Sequence, residues 1–228
     1  MTRVNRHTLA SQVEEALRAD IIGGVLPPGV RLRRSDLGGM YAVSATPLRE
    51  AMQRLAAEGL IDINPHTGAA VTPISPEDLD DTYWVRGMLE VMAVQRSIER
   101  GDTAWAASVE DAYGVFRDAT VAMQTDAAAD RMVAQTRAHR AFHDSLTEAC
   151  GSRWLSKTLK TLNDHAERYR MLNVTSGMGD ALDDHAALGA AAVSRHPHVV
   201  ELLWSHRSAY LDALKKRLDG EESTTEVA

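Results

Sequence analysis

From residue 76 onward the chain has a helical pattern almost throughout, and few architectures are compatible with such a run. The sequence Ser75-Pro76-Glu77-Asp78 predicts a helix start, because it combines a cap, a proline at the first helical position and acids near the positive end of the helix dipole. Glycines and one further proline divide the region into six predicted helices, near 76–100, 103–124, 128–150, 152–173, 180–195 and 197–219. Helices joined by such short connections predict an antiparallel bundle.

The first 75 residues have a different pattern, in which three short helices precede a hairpin. The helices are expected over 8–22, over 35–41 with Ser35 as the cap, and from Ser44 to Gly59. Two short runs, 60–63 and 69–73, predict antiparallel strands joined by a turn. The predicted fold class is therefore mainly α, with an N-terminal winged helix-turn-helix followed by an all-α bundle of six or seven helices.

Composition limits the classes of protein that fit. The chain has 228 residues, of which 44% are hydrophobic and 25% charged, as in ordinary globular proteins. Its one cysteine, Cys150, excludes an intrachain disulfide framework. The N-terminus lacks the apolar core of a secretory signal, and no apolar run approaches the ~18 residues of a membrane span. We therefore expect a cytoplasmic protein without a membrane partner.

Charge is unevenly distributed along the chain. Residues 1–75 carry eight Lys and Arg against seven Asp and Glu, whereas residues 76–228 carry 17 against 25. This difference predicts two parts with different partners. We expect two domains, at 1–75 and at 76–222, followed by a frayed polar tail at 223–228.

The segment 35–58 has the spacing of a helix-turn-helix. Its second helix would enter the major groove, so that Ser44, Thr46 and Arg49 at its leading end meet the DNA. The hairpin after it would form a wing, with His66 and Thr67 at the tip. Two alternatives remain at this point. The same spacing also occurs in proteins that never bind DNA, and the arginines of this region could be surface residues that only make the protein more soluble.

Histidines form a second pattern, since seven of the nine follow residue 138. His139 and His143 are four residues apart and project from one helix face, and His185 and His206 belong to two later helices. Imidazoles that converge from several helices can bind zinc, nickel, copper or iron. The alternative is that each histidine is an ordinary satisfied or exposed polar residue, which we prefer for His165, His196 and His198.

The N-terminal region resembles the winged helix of GntR-family transcription regulators. The resemblance is carried by the turn Leu26-Pro27-Pro28-Gly29 and by the run 46–51, Thr-Pro-Leu-Arg-Glu-Ala. It implies a homodimer that binds a palindromic double-stranded DNA operator, with Arg34, Thr46 and Arg49 as contacts. Ala45 departs from the family pattern, which usually has an arginine there, so the operator is expected to differ from the common one or to bind more weakly.

Residues 76–219 resemble the helical effector-binding domain of the FadR subfamily, called FCD. The matching segments are Phe142-His143, Asp183-Asp184-His185 and Ser205-His206-Arg207. The resemblance implies a divalent metal bound by His139, His143, His185 and His206. His139 stands where the family has an aspartate, and the loss of an oxygen ligand favours zinc or nickel over manganese or magnesium.

In the resembled family the effector is a small organic acid that lies against the metal. Arg86, four residues before Glu90, matches a recurrent family pair and would contact the carboxylate, although the two could simply form a helix ion pair. Arg170 and Asn173 are further candidate effector contacts. The predicted function is a ligand-responsive transcriptional regulator, a repressor and not an enzyme. A metal sensor remains an alternative. A metal-dependent hydrolytic enzyme is a less favoured alternative, because no general base is evident in the sequence.

Overall fold

In a computed structural model the chain divides into two compact units. The first runs to Leu79 and also includes Asp164–Met171; the second contains Asp80–Asn163 and the described residues from Leu172 on. The structure describes residues 8–126, 128–174 and 182–218, without the side chains of 171–174 and 217–218. The predicted boundary between residues 75 and 76 falls inside the first unit and stays a prediction. The predicted tail, 223–228, lies outside the described residues.

The first unit has the predicted order of three helices and a hairpin. The elements are α1 (Leu9–Ile22), α2 (Arg34–Met40), α3 (Ala45–Ala57), β1 (Ile61–Asn64) and β2 (Gly68–Val71). The strands pair antiparallel, with Ile61 opposite Val71. Leu17 and Ile21 of α1 pack in one buried core with Leu48 of α3. This arrangement is a winged helix-turn-helix, and the fold-class prediction is confirmed for this part.

Two local predictions in this unit can be compared with the structure. Ser44 does precede α3 in an extended conformation, as a cap residue should. The prediction of Ser35 as a cap is wrong, because α2 begins at Arg34 and Arg33 occupies the cap position. Between α2 and α3 the chain turns through Ala42, whose φ of 53° lies in the left-handed region. A turn this tight positions the start of α3 beside α2.

The second unit is formed by α-helices. The elements are α4 (Pro76–Arg100), whose first residues belong to the first unit, α5 (Thr103–Thr125), α6 (Ala129–Thr147), α7 (Arg153–Val174), α8 (Leu182–Val193) and α9 (Val199–Leu218). Phe116 of α5, Phe142 of α6 and Leu188 of α8 are fully buried in one core with Leu203 of α9. Within the described ranges, six α-helices follow the wing, as the sequence predicts. The predicted helix over 128–150 is shorter, since its last turn, Glu148–Cys150, is a 3-10 helix.

One segment distant in sequence belongs to the first unit. In α7, Asp164 accepts a hydrogen bond from Arg18 at 2.8 Å, and the His165 ring donates to the Glu58 carbonyl at 2.8 Å. Arg18 also pairs with the carboxylate of Glu58. The turn after α3 therefore packs against α7 through Gly59, where an added Cβ would lie 3.3 Å from the His165 ring.

The same segment contacts the chain after the wing. Arg168 donates to the Thr72 carbonyl, and the Tyr169 hydroxyl donates to Asp78 at 2.5 Å. Burial, together with the hydrogen bond to Asp78, raises the pKa of Tyr169, so the hydroxyl keeps its proton and remains a donor.

In the part of the chain that the structure describes, no helix is long and apolar enough to span a bilayer.

Candidate metal centre and nucleic-acid interface

Four histidines from three helices of the second unit meet at one point. His139 and His143 lie one turn apart on α6, His185 lies in the first turn of α8 and His206 lies in the middle of α9. One ligand nitrogen from each ring lies within 4.8 Å of the others. The four residues named from the sequence are thus brought together, and their role as metal ligands stays a prediction.

An aromatic wall borders the cluster. The ring centroid of Phe116 lies 4.7 Å from that of His185 and 5.4 Å from that of His139.

Burial, followed by the charges of His143, His185 and Arg86, lowers the pKa of His206 to about 2. The imidazole of His206 is therefore neutral at physiological pH, and neutral imidazole is the form that binds a metal ion.

A buried carboxylate lies on the polar side of the cluster. Glu90 of α4 approaches His143 Nδ1 at 3.4 Å and forms ion pairs with Arg86 and Arg207. Metal-binding histidines typically direct their second ring nitrogen toward such a group, which orients the ring. From the sequence, Glu90 was expected only as a partner of Arg86. Its place on the buried face of α4, four residues before Val94, is the signal that could have identified it.

This geometry fits a nitrogen-preferring divalent ion. Four imidazoles within 4.8 Å of one another supply the ligand type that zinc and nickel accept. The carboxylate beside His143 would hold that ring with Nε2 toward the ion. The residues present are therefore of the type that could bind a divalent metal ion, and the identity of the ion stays a prediction.

The predicted effector residues lie in different places. Arg86 is partly buried, pairs with Glu90 at 3.6 Å and donates from Nε to the Asn163 side chain at 2.6 Å. Arg170 belongs to the α7 segment of the first unit, where it donates to Glu167 at 2.8 Å. Asn173 is in the last turn of α7, and its side chain lies outside the described part of the structure. Arg86 thus lies beside Glu90, which in turn approaches His143.

The predicted DNA-binding residues lie on the surface of the first unit. Ser44, Thr46 and Arg49 are exposed at the beginning of α3. His66 and Thr67 are exposed in the turn between the strands, where their backbone N–H groups donate to the Asn64 side chain at 2.8 and 3.2 Å. That local hydrogen bonding fixes the wing tip. The side chains of His66 and Thr67 are exposed to solvent at this tip.

A cleft of about 330 Å³ joins the second helix of the motif to the wing. Arg34 and Arg49 both line it, although they belong to different helices, and neither forms an ion pair with any described residue. Gln53 and Asn64 also line the cleft, and neither was predicted from the sequence. Gln53 is one turn after Arg49 on the same face of α3, so helical spacing was the available signal.

Comparison with known proteins places this geometry in a family. A model described as "FCD domain" matches residues 81–208, and one described as "Bacterial regulatory proteins, gntR family" matches residues 9–71. The chain is 32% identical over 216 residues to the HTH-type transcriptional regulator BphR of Paraburkholderia xenovorans, a match that covers 93% of this chain and 87% of BphR. This chain belongs to the GntR family. Its helical part is an FCD domain.

Two further proteins are similar to this GntR-family chain over most of its length. The HTH-type transcriptional repressor GlaR of Escherichia coli is 30% identical over 214 residues, which is 90% of this chain and 94% of GlaR. The solved structure of E. coli McbR/YncC has a TM-score of 0.78 and covers 92% of this chain and 99% of that chain. At 20% identity, the McbR/YncC structure shows the shared fold alone.

Membership in the GntR family determines the general class of activity. The family and the relatives named above are transcriptional regulators with a helix-turn-helix, so this protein is a DNA-binding regulator and not an enzyme. The hydrolytic enzyme that the sequence left as an alternative is thereby set aside.

Proposed function

We propose that this GntR-family protein is a homodimeric repressor that binds a palindromic operator and responds to a small organic acid bound beside a divalent metal in its FCD domain. The observation that carries the proposal is the set of four imidazoles whose ligand nitrogens lie within 4.8 Å of one another. Imidazoles that converge in a helical core are suited to zinc or nickel. The repressor GlaR is similar over nearly the whole chain, which supports repression.

The metal would be held by His139, His143, His185 and His206. When bound, the ion would supply a positive charge for a carboxylate oxygen. Glu90 would orient the ring of His143 through Nδ1. Because all four proposed ligands are nitrogens, we expect zinc or nickel in preference to manganese.

Arg86 would recognise the carboxylate of the effector. Its guanidinium already pairs with Glu90 and is fixed through Nε by Asn163. An arginine held in this way can form two parallel hydrogen bonds to a carboxylate. Arg170 and Asn173 are further proposed contacts of the effector.

On the DNA side, Arg34 and Arg49 would contact the operator from the two helices of the motif, with Ser44 and Thr46 at the phosphates. His66 and Thr67 would reach the backbone or the minor groove. The effector can act only if it binds one arrangement of the two winged helices more tightly than the other.

A metal sensor is a second candidate, and one observation favours it. Four nitrogens complete a tetrahedral set for zinc, whereas a three-ligand site would leave a position for an effector. In that case the ion is the signal and no organic acid is needed.

The first experiment is elemental analysis with native mass spectrometry of the purified, untagged protein. We expect about one zinc or nickel ion per subunit, and none in His143→Ala/His185→Ala. His196→Ala, which changes an exposed histidine outside the cluster, is the matched control and should keep the metal. Unchanged metal content in the double variant would contradict the proposed ligands.

A second experiment separates the two candidates. An operator is selected from random double-stranded DNA, and its affinity is followed by fluorescence anisotropy. If an organic acid is the effector, metal-loaded protein binds the operator until a small carboxylate is added, and Arg86→Gln abolishes that response. If the ion is the effector, removal of the metal by a chelator changes the affinity and carboxylates have no effect.

A further inference from the structure

A second buried arginine lies near the histidine cluster. Arg207 follows His206 in α9, and its side chain is 7% exposed. Arginine is rarely buried to this degree without a partner, because its guanidinium keeps its charge in proteins. The metal ligands and effector contacts proposed above do not include Arg207. Its burial therefore calls for a separate account.

Close packing determines where this guanidinium lies. A Cβ added at Gly87 of α4 would lie 3.4 Å from Nη1 of Arg207 and 2.9 Å from the ring of Trp204. The absence of a side chain at Gly87 thus leaves room for Arg207 against the backbone of α4. This is the stretch of α4 that carries Arg86 and Glu90. Arg207 therefore reaches the same side of the cluster as Arg86, although it comes from a different helix.

The hydrogen-bonding capacity of Arg207 is only partly used. Within the described ranges, Arg207 forms an ion pair with one acid, Glu90, which also pairs with Arg86 and approaches His143. The Nε and Nη1 atoms of Arg207 are buried and have no hydrogen-bond partner among the described residues. A buried donor without an acceptor is costly, and the cost is higher on a charged group. These two atoms are therefore suited to an acceptor supplied by a ligand.

The charges at this point also favour an anionic ligand. One carboxylate, Glu90, cannot neutralise the two guanidiniums of Arg86 and Arg207. A divalent ion at the histidines would add two positive charges, and imidazole ligands carry no negative charge to offset them. Buried charge is stable when it is compensated nearby. A ligand with a single carboxylate would leave more positive charge uncompensated than a ligand with two anionic groups.

We propose that the effector is a dianion and that Arg207 holds its second anionic group. The inference rests on the proposed function, in which the metal and Arg86 receive the first carboxylate, and it specifies the charge of that effector. Arg207 is thus the residue that selects a dianion over a monocarboxylate. A guanidinium suits this role, because it can form two parallel hydrogen bonds to a carboxylate or to a phosphate-type group.

The first test compares acids of equal chain length that differ in one carboxylate. The pairs run from malonate and propionate to adipate and hexanoate. Their binding to the full-length, zinc-loaded protein is measured by isothermal titration calorimetry, and native mass spectrometry checks that the ion stays bound. We expect the dicarboxylate of at least one pair to bind about tenfold more tightly than its monocarboxylate, because it gains a charge-assisted contact. Phosphonoacetate, the phosphonate counterpart of malonate, separates a phosphate-type second group from a carboxylate.

The second test removes the guanidinium. Arg207→Gln should lower the affinity for the preferred dicarboxylate by about tenfold, to that of the matched monocarboxylate, whose own affinity stays nearly unchanged. Arg86→Gln should weaken both acids of the pair. Arg117→Gln is the control, because Arg117 is 53% exposed on α5 and pairs with the neighbouring Asp118. If Arg207 only supported the fold, Arg207→Gln would weaken both acids alike.

A milder variant covers the case in which Arg207→Gln does not fold. Arg207→Lys retains the charge but not the two parallel hydrogen bonds, so it should keep part of the preference for the dicarboxylate. Circular dichroism establishes which variants are folded. If Arg207→Gln is unfolded, the comparison of paired acids in the parent chain and in Arg207→Lys decides the matter.

The outcomes separate this inference from the proposed function. Equal affinity for both acids of every pair in the parent chain, or an equal loss for both in Arg207→Gln, would overturn the role of Arg207 while the organic-acid proposal stands. If no acid of the panel binds, both fail. A dianion preference that disappears in Arg207→Gln would establish the inference, and tighter binding of phosphonoacetate than of malonate would identify the second group as phosphate-like.

Discussion

At the beginning of α3, exposed residues proposed to contact DNA lie on either side of a buried core residue. Thr46 and Arg49 are exposed, whereas Leu48 is fully buried in the core of the winged helix. The alternation arises because one helix face must pack and the other remains free. Ala45 has no side chain that can read a base, so Arg49 is the long basic side chain in the first two turns of this helix.

We expect Arg49→Ala to weaken operator binding by about 1–3 kcal/mol, the cost of one lost bidentate base contact. Arg54→Ala is the control, because Arg54 is on the same helix but pairs with Glu14 at 3.1 Å. Fluorescence anisotropy with the selected operator measures both variants. Equal affinity and equal salt dependence for Arg49→Ala and the parent chain would contradict a base-reading role.

His139 is the histidine that departs from the family pattern, and it lies within the cluster. His139→Asp would replace a nitrogen with a carboxylate oxygen and add a negative charge. We expect the metal preference to shift from zinc or nickel toward manganese, since oxygen ligands suit harder ions. His139→Asn provides an uncharged control. The bound metal is identified by elemental analysis after each protein is exposed to an equimolar mixture of the metals. If the variant and the parent chain retain the same ion, the predicted shift in metal preference is wrong.

At the scale of elements, the joint between α4 and α5 depends on close packing at one glycine. A Cβ added at Gly101 would lie 2.2 Å from the Trp105 ring and 2.7 Å from the Ser97 carbonyl. Trp105 cannot easily move, because it is buried and its indole N–H donates to the Ser145 carbonyl at 2.9 Å. The joint holds α5 against α6, which carries two of the four histidines.

Gly101→Ala should therefore lower the free energy of unfolding by about 1–3 kcal/mol through overpacking. Gly114→Ala offers a matched control inside α5, where an added Cβ meets no atom within 4 Å. That control should be neutral or stabilise by about 0.5–1 kcal/mol, because alanine favours the helix. Urea unfolding of both variants decides the matter, and an equal effect of the two changes would show that the joint is not tightly packed.

At the scale of the whole molecule, a segment about one hundred residues away in sequence completes the first unit. Arg18 connects Asp164 of α7 with Glu58 at the end of α3. Burial lowers the pKa of Arg18, but the two carboxylates outweigh burial and raise it above its ordinary value. The two carboxylates therefore stabilise the charged form of Arg18 in the folded state.

Arg18→Ala removes the guanidinium from a buried carboxylate, and we expect a loss of about 3 kcal/mol in the free energy of unfolding. Arg54→Ala again serves as a comparison, since the Arg54 side chain is 48% exposed and such an ion pair is worth about 0–1 kcal/mol. Urea titrations give both values. A cost for Arg18→Ala no greater than that for Arg54→Ala would argue against the contribution of the α7 contact.

Several features were predictable from local patterns. Helical and alternating periodicities identify the winged helix-turn-helix and the helices after it, and Ser75 does cap α4, accepting the Asp78 N–H at 3.1 Å. The four histidines that the family resemblance named also lie together in the fold, and their role as metal ligands stays a prediction. Periodicity and capping depend on residues close in the chain, which is why they are visible in the sequence.

Other features depend on contacts that no local pattern records. The approach of Glu90 to His143, the inclusion of Asp164–Met171 in the first unit, and the cleft that joins Arg34 to Arg49 all arise from packing between distant segments. A helical pattern specifies which face of an element is apolar but not which element covers it. Local spacing thus determined the elements of this regulator, its motifs and family resemblance named the candidate residues, and only tertiary packing decided which of their side chains meet.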